Sequence, residues 1–165
     1  MTPTRLIVVG GFLGAGKTTA LLRLAAMHAQ RGQRVGIIAN DLSEGLVDAA
    51  IYRSNGLPVE EMPGVCFSCR FDELLAAAGR LANGHRPDVI LAEPTGSCTD
   101  LVAGVIEPLR ALYQDRFAVA PYAALLDPQR AREALARGGR RGLSSKIMFL
   151  YHHQQNEAEI IALNK

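Results

Sequence analysis

Residues 11–18 carry the pattern best suited to chemistry in this chain of 165 residues. They fit G-x-x-x-x-G-K-[ST], a spacing typical of loops that bind nucleoside triphosphates. Glycines let backbone N–H groups turn inward around an anion, and a helix starting after the loop adds partial positive charge. Lys17 is predicted to contact the β- and γ-phosphates and Thr18 to bind Mg²⁺; a chance glycine-rich turn is the alternative. The predicted nucleotide-binding residues here are Gly11, Gly14, Ala15, Gly16, Lys17, Thr18 and Thr19.

Two acidic residues follow further apolar runs of the chain. Asp41 and Glu93 each stand where a buried strand is predicted to end. Ligands of parallel α/β sheets gather at the carboxyl ends of the strands, so both acids are predicted beside the loop. With Lys17 they form the predicted catalytic set, holding Mg²⁺ or orienting the attacking water. An ordinary strand-end or capping role is the alternative for each acid. Gly96 is predicted to bring a backbone N–H near the γ-phosphate and to let the loop move on hydrolysis.

The three cysteines form a second candidate site. Cys66 and Cys69 have the C-x-x-C spacing that lets two thiolates share one metal ion. Cys98 lies two residues after Gly96, and its thiol is a candidate third ligand. A thiol-rich site selects Zn²⁺ or softer ions such as Cu(I). The thioredoxin-like pattern that surrounds a redox C-x-x-C is absent. Buried or incidental cysteine is the alternative.

Apolar runs alternate with helical patterns and predict the elements that position these residues. Predicted strands cover 6–10, 35–39, 89–92, 119–126 and 160–163, and predicted helices cover 19–30, 71–83, 99–113 and 147–157. After the strand over 35–39, a loop that contains Gly45 and Asp48 is predicted, followed by a short segment over 59–62. This alternation is typical of parallel βαβ units. The predicted fold class is therefore α/β: a P-loop NTPase with a mostly parallel sheet flanked by helices on both faces, in one domain over 1–165. The basic segment 130–146 is interpreted as a helix end and a solvated loop, with a binding patch as the alternative.

Composition argues against several classes of partner and location. The net charge of +2 is too small to indicate nucleic-acid binding. No apolar run approaches the ~18 residues of a membrane span, so no membrane partner is expected. Three cysteines without a signal-peptide pattern predict reduced thiols and a cytoplasmic location.

Together these motifs resemble the metallochaperone GTPases that include CobW, HypB and UreG. The matching residues follow the family's order along nearly the whole chain: 11–19, 40–41, 46–48, 64–69, 93–96 and 163–165. The resemblance implies GTP hydrolysis, slow without a partner, that gates delivery of a metal ion or a metal cofactor, for example a cobalamin-related one. The implied cofactors are GTP, Mg²⁺ and zinc or another transition metal. The implied partner is a client metalloenzyme or cofactor-dependent protein, and a homodimer is left open.

The resemblance also assigns the C-terminal residues and the cysteines. Asn164 and Lys165 correspond to the start of the guanine-reading N-K-x-D motif, whose Asp would lie two residues further on. We therefore expect the domain to be C-terminally incomplete. CobW-like members typically carry C-x-C-C, whereas a serine precedes the final cysteine here. HypB members have a cysteine shortly after their E-x-x-G, which resembles Cys98 as a third thiolate.

Two other functions use the same motifs. A P-loop ATPase or a small-molecule kinase with a structural zinc site needs the same loop, but has no use for Asn164 and Lys165 in a guanine motif. A non-catalytic module would use zinc at the cysteines only to stabilise the fold. Nucleotide competition and chelation distinguish these alternatives.

Overall fold

The computed structural model describes residues 2–40, 47–64, 66–135 and 144–164, and within them the strands build one parallel sheet. Its strands are β1 (Thr4–Gly11), β2 (Val35–Ala39), β3 (Val59–Glu61), β4 (Val89–Glu93), β5 (Phe117–Val119), β6 (Ala123–Leu126) and β7 (Ile160–Leu163). The order across the sheet is β3-β2-β4-β1-β6-β7, and β5 pairs with the first residues of β1. The carboxyl ends of β1, β2, β4, β6 and β7 therefore meet at one edge.

Helices connect these strands. They are α1 (Lys17–Gln30), α2 (Val47–Ser54), α3 (Phe71–His85), α4 (Glu107–Leu112), α5 (Pro128–Leu135) and α6 (Ser145–Glu157), with a π-helical turn over Val102–Ile106 before α4. No helix in the described ranges is both long and apolar enough to cross a membrane.

The core lies on both faces of the sheet. Leu6 and Val8 of β1 join one buried apolar cluster with residues of α3 and the π-helical turn. Ile7 and Val9 point to the other face and pack with residues of α1 and α2. Alternate side chains of a strand point to opposite faces, so β1 needs a helical layer on each side. The predicted fold class, a parallel α/β sheet with helices on both faces, is confirmed.

Three elements differ from their predictions. The strand predicted over 119–126 is two strands, β5 and β6, because Pro121 lies between them and cannot donate to a strand ladder. The helix predicted over 99–113 is divided into the π-helical turn and α4. Pro108 lies in the first turn of α4, where its missing N–H leaves no bond unmade within that helix, but it cannot bond the carbonyl four residues back in the preceding turn. Helix α2 occupies a stretch that was interpreted as a loop.

Candidate phosphate site and cysteine loop

The phosphate loop joins β1 to α1, as its motif predicts. Gly11, Gly14 and Gly16 all have positive φ angles (133°, 77° and 85°), a backbone conformation that L side chains rarely adopt. The N–H of Ala15 bonds the carbonyl of Phe12 (3.0 Å), which tightens the turn. The loop thus presents backbone N–H groups at the start of α1, the arrangement that binds anions in proteins.

Two acidic groups meet the first turn of α1. Thr18 Oγ1 lies 2.8 Å from Asp48 Oδ1 and 3.1 Å from Glu93 Oε1, and its one proton is donated to either carboxylate. Asp48 is in the first turn of α2, and Glu93 is the last residue of β4. A hydroxyl and two carboxylates are hard oxygen donors, which suits Mg²⁺. Glu93 therefore lies where the sequence predicted it, and Asp48 is a residue that sequence reasoning did not assign to the site.

Glu93 is buried, with 3% of its surface exposed, and is held on both sides. Tyr52 donates a hydrogen bond of 2.5 Å to its Oε2, opposite the contact with Thr18. Burial raises the pKa of Glu93, and the hydrogen bond from Tyr52 and the positive charge of Lys17 act in the lowering direction. Burial and the neighbouring Glu93 also raise the pKa of Tyr52 well above its ordinary value, so the phenol stays protonated and remains a donor.

A cleft of about 530 Å³ lies over these groups. Its walls include Lys17, Asn40, Asp48, Glu93, Gly96, Ile147 and Leu150. Lys17 is itself buried, with 8% exposed. The volume is in the range of small-ligand sites, and the cationic and acidic groups converge at its floor.

Gly96 packs directly on the phosphate loop. A Cβ added to Gly96 would stand 2.7 Å from the backbone nitrogen of Leu13, closer than real Cβ contacts. Only glycine therefore fits here without movement of the loop. This places Gly96 beside the phosphate loop, as the sequence predicts, while a contact with phosphate stays a prediction.

The end of β7 also reaches the phosphate loop. Asn164 Nδ2 donates a hydrogen bond of 2.8 Å to the carbonyl of Ala15. Its own N–H bonds the carbonyl of Leu126 at the end of β6. The predicted Lys165 and Asp41 lie outside the described residues.

Arg130 is a further contact to this loop that sequence reasoning missed. Its Nη1 donates to the carbonyl of Leu13 (2.5 Å), and its guanidinium lies 5.8 Å from the centre of the Phe12 ring. Arg130 belongs to α5, so the part of the basic segment that is described includes a structured contact rather than only a solvated loop. Residues 136–143 of that segment lie outside the described ranges.

The cysteine loop differs from its prediction. Cys66 and Cys69 form a disulfide, with their Cα atoms 5.2 Å apart, whereas two reduced thiols were expected. C-x-x-C spacing suits both a disulfide and a shared metal ion, so spacing alone does not separate the two states. Cys98 is a free, buried thiol, and burial raises its pKa. In the parts of the chain that are described, no group of three or more His, Cys, Asp or Glu side chains is arranged to hold a metal.

Ser68 nevertheless brings the cysteines into one neighbourhood. Its hydroxyl lies 3.4 Å from Cys66 Sγ and 3.8 Å from Cys98 Sγ, and it donates to the carbonyl of Thr99 (3.0 Å). The C-x-x-C loop therefore packs against the loop that leaves β4. Ser68 thus contacts both Cys66 and Cys98, but a metal ion shared by the three cysteines remains a prediction.

The sheet order, the phosphate loop and the acidic groups around Thr18 define a phosphate-loop nucleotide-binding α/β protein. The family described as CobW/HypB/UreG, nucleotide-binding domain, matches residues 5–165. The chain belongs to this family, which confirms the resemblance found in the sequence.

Individual relatives agree with this assignment. The chain is 36% identical over 97 residues to the zinc chaperone YeiR of Escherichia coli (strain K12), covering 58% of this chain and 29% of that protein. It is 31% identical over 97 residues to the zinc chaperone CobW of a Sinorhizobium species, covering 54% and 27%. The fold is similar to the crystal structure of the Zn(II)-bound YjiA GTPase from E. coli, with a TM-score of 0.60, 22% identity, and coverage of 99% of this chain and 49% of that one. The matched stretches span less than a third of these curated relatives.

Proposed function

We propose that this chain binds GTP with Mg²⁺ and hydrolyses it slowly in the absence of a partner. The observation that carries the proposal is the position of Thr18, whose hydroxyl is within hydrogen-bond reach of two carboxylates at the start of α1. Backbone N–H groups of residues 14–19 would hold the phosphates, and Lys17 would neutralise their charge. The curated and solved relatives named zinc chaperones and GTPases support this function.

The metal donors that we propose for Mg²⁺ are Thr18, Glu93 and Asp48. Asp41, predicted from the sequence, remains a further candidate. Mg²⁺, when bound, would offset charge on the β- and γ-phosphates. Glu93 is held in place by Tyr52 and so can orient the attacking water or a metal-bound one without rearrangement. Gly96 would supply a backbone N–H to the γ-phosphate.

We propose guanine as the base. The support is Asn164, the first residue of the motif that reads guanine in the resembled family, which contacts the phosphate loop at Ala15. A P-loop ATPase or a small-molecule kinase has no need of a guanine-reading motif at this position. Lys165 remains a proposed contact to the base.

We propose Zn²⁺ as the cargo, bound by the thiolates of Cys66, Cys69 and Cys98. The disulfide must first accept two electrons and two protons from a thiol reductant, which yields two thiols that lose their protons to bind the ion. Zinc is preferred over a cobalamin-related cofactor because the curated relatives are named for zinc. The need for reduced thiols favours a cytoplasmic setting, with a metalloenzyme as client and a homodimer as an option.

A nucleotide competition experiment tests the nucleotide part of the proposal. A fluorescent GDP analogue is displaced by GTP and by ATP, with Mg²⁺ present, from the wild type and from Lys17→Ala. The matched control is Lys146→Ala, which removes an exposed lysine of α6. We expect GTP to displace better than ATP, and only Lys17→Ala to lose triphosphate binding. Preference for ATP, or an unaffected Lys17→Ala variant, would contradict the proposal.

A zinc titration tests the cargo site. The protein is treated with a non-chelating phosphine reductant, and zinc is titrated against a chromophoric competitor. Each of Cys66→Ser, Cys69→Ser and Cys98→Ser is expected to weaken zinc binding while the fold is retained. Unfolding on chelation would favour the structural-zinc alternative, and full affinity in Cys98→Ser would remove Cys98 from the ligand set.

A further inference from the structure

Helix α6 holds the loop that carries both Gly96 and Cys98. His153 Nε2 lies 3.0 Å from Asp100 Oδ1 in this loop. Glu157 accepts a hydrogen bond of 3.3 Å from a backbone N–H at the start of the π-helical turn. His153 and Glu157, one helical turn apart on α6, thus hold the C-terminal end of this loop.

Gln154 fixes the middle of the same loop. Its Nε2 donates to the carbonyl of Gly96 (3.0 Å) and to the carbonyl of Cys98 (2.9 Å), and only 3% of its surface is exposed. A carboxamide nitrogen carries two hydrogens, so one group satisfies both carbonyls. In a buried setting without competing water, these bonds fix the two carbonyls relative to each other.

The two residues that Gln154 joins have different neighbours. Gly96 lies against the phosphate loop, where an added Cβ would stand 2.7 Å from the nitrogen of Leu13. Cys98 lies against the cysteine loop, with its Sγ 3.8 Å from the hydroxyl of Ser68. A Cβ on Gly104 of the π-helical turn would stand 3.0 Å from Cβ of Ser68, so the packing there is also close. A displacement at Gly96 can therefore reach the cysteine loop through the buried contacts of Gln154 and Cys98.

We propose that Gln154 is the positioning residue that transmits the state of the γ-phosphate position from Gly96 to Cys98. The inference rests on the proposed function, because it takes Gly96 as the residue that meets the γ-phosphate. When Gly96 turns toward the phosphate, the carboxamide carries both carbonyls together and changes the exposure of the Cys98 thiol. Without the carboxamide, the two carbonyls no longer move as a unit, so the effect of the nucleotide on the thiol is lost.

The alkylation rate of Cys98 tests this route without any metal. Iodoacetamide is added to the full chain with GTPγS–Mg²⁺ or with GDP–Mg²⁺, no reductant is present, and mass spectrometry quantifies the Cys98 peptide. We expect slower alkylation with GTPγS than with GDP, by about fivefold or more, the lower end of common allosteric couplings. In Gln154→Met, which keeps the side-chain length but cannot donate, we expect the ratio of the two rates to fall below about twofold.

The neighbouring Gln155 provides the matched control. Its Nε2 is buried, and no hydrogen-bond partner for it occurs in the described residues, so Gln155→Met is expected to keep the wild-type ratio. A purely structural role for Gln154 would raise the rate equally in both nucleotide states and leave the ratio unchanged, which would overturn the inference.

Displacement of a fluorescent nucleotide in the same samples separates the remaining outcomes. A wild-type ratio of one with GTPγS bound also overturns the inference, but leaves the proposed nucleotide site intact. Absence of GTPγS binding overturns the proposed function together with the inference.

Discussion

The phenol of Tyr52 donates a 2.5 Å hydrogen bond to Oε2 of Glu93, while the hydroxyl of Thr18 contacts the other carboxylate oxygen. The contact joins α2 to the end of β4 beneath the phosphate loop. Glu93 is thereby held in one orientation from both sides. Preorganised groups of this kind contribute to catalysis because they need no rearrangement during the reaction.

Removal of this phenol is expected to affect hydrolysis more than binding. Tyr52→Phe keeps the buried ring and removes a hydrogen bond to a charged group, which contributes about 1.5–3 kcal/mol. We predict a decrease of roughly tenfold or more in single-turnover GTP hydrolysis, with GDP affinity nearly unchanged. Tyr113→Phe, whose ring packs on Phe71, is the control and should behave as wild type. Equal hydrolysis in both variants would contradict a role for Tyr52.

Asp48 is expected to set the magnesium requirement. Asp48→Asn keeps the size of the side chain but removes a negative charge 2.8 Å from the hydroxyl of Thr18. We predict that the Mg²⁺ concentration giving half-maximal hydrolysis rises by about tenfold, as is common when a metal site loses one carboxylate or its support. Asp115→Asn, at an exposed position, should leave the magnesium dependence unchanged. An unaltered dependence in Asp48→Asn would exclude Asp48 as a metal ligand.

A methyl group at Gly96 is expected to disrupt the site. The Cβ of Gly96→Ala would stand 2.7 Å from a backbone nitrogen of the phosphate loop, which cannot yield as a flexible side chain does. We predict a decrease in kcat/KM for GTP of about tenfold or more, and a lower Tm of the kind caused by overpacking. Gly84→Ala is the control, since its Cβ meets nothing within 4 Å in α3. That variant should gain up to about 1 kcal/mol of stability and keep full activity.

The pH dependence of Cys98 follows from its burial. Because burial raises the pKa of Cys98, its thiol stays protonated above the range near 8.5 where an exposed thiol ionises. In the folded protein the alkylation rate of Cys98 should therefore keep rising with pH beyond that range. In protein unfolded by guanidinium, the rate should level off near that range. As the pH rises above the pKa of an exposed thiol, Cys98 loses its proton in the unfolded chain while it stays protonated in the folded protein. The free energy of unfolding therefore falls as pH rises through this range. Cys98→Ala should remove this contribution, and an unchanged slope would contradict the assignment.

Local patterns predicted much of the fold and part of the site. The glycine spacing of residues 11–18 predicts a loop between a strand and a helix. The apolar run before Glu93 predicts that this carboxylate lies at the end of a strand. Both predictions depend only on residues that are neighbours in the sequence. Tyr52 was not predicted, because helix α2 was interpreted as a loop. Asp48 and Tyr52 are four residues apart, so a helix places them on one face, toward Glu93.

Other contacts depend on how distant segments pack. Gln154 reaches Gly96 and Cys98 only because α6 packs against the loop after β4, and no local pattern reports that approach. The disulfide between Cys66 and Cys69 was not predicted because reduced thiols were inferred from the presumed compartment, not from geometry. The single strand predicted over 119–126 was wrong because apolar composition outweighed the position of Pro121.

We propose, as the central claim, that nucleotide state controls zinc binding at the cysteines. Its direct test is the zinc affinity of the reduced protein, measured by chelator competition with GTPγS–Mg²⁺ and with GDP–Mg²⁺. We predict that the two affinities differ by at least about fivefold, corresponding to ~1 kcal/mol of coupling, and that Lys17→Ala shows no difference. Equal zinc affinities in the two nucleotide states of the wild type would contradict the claim.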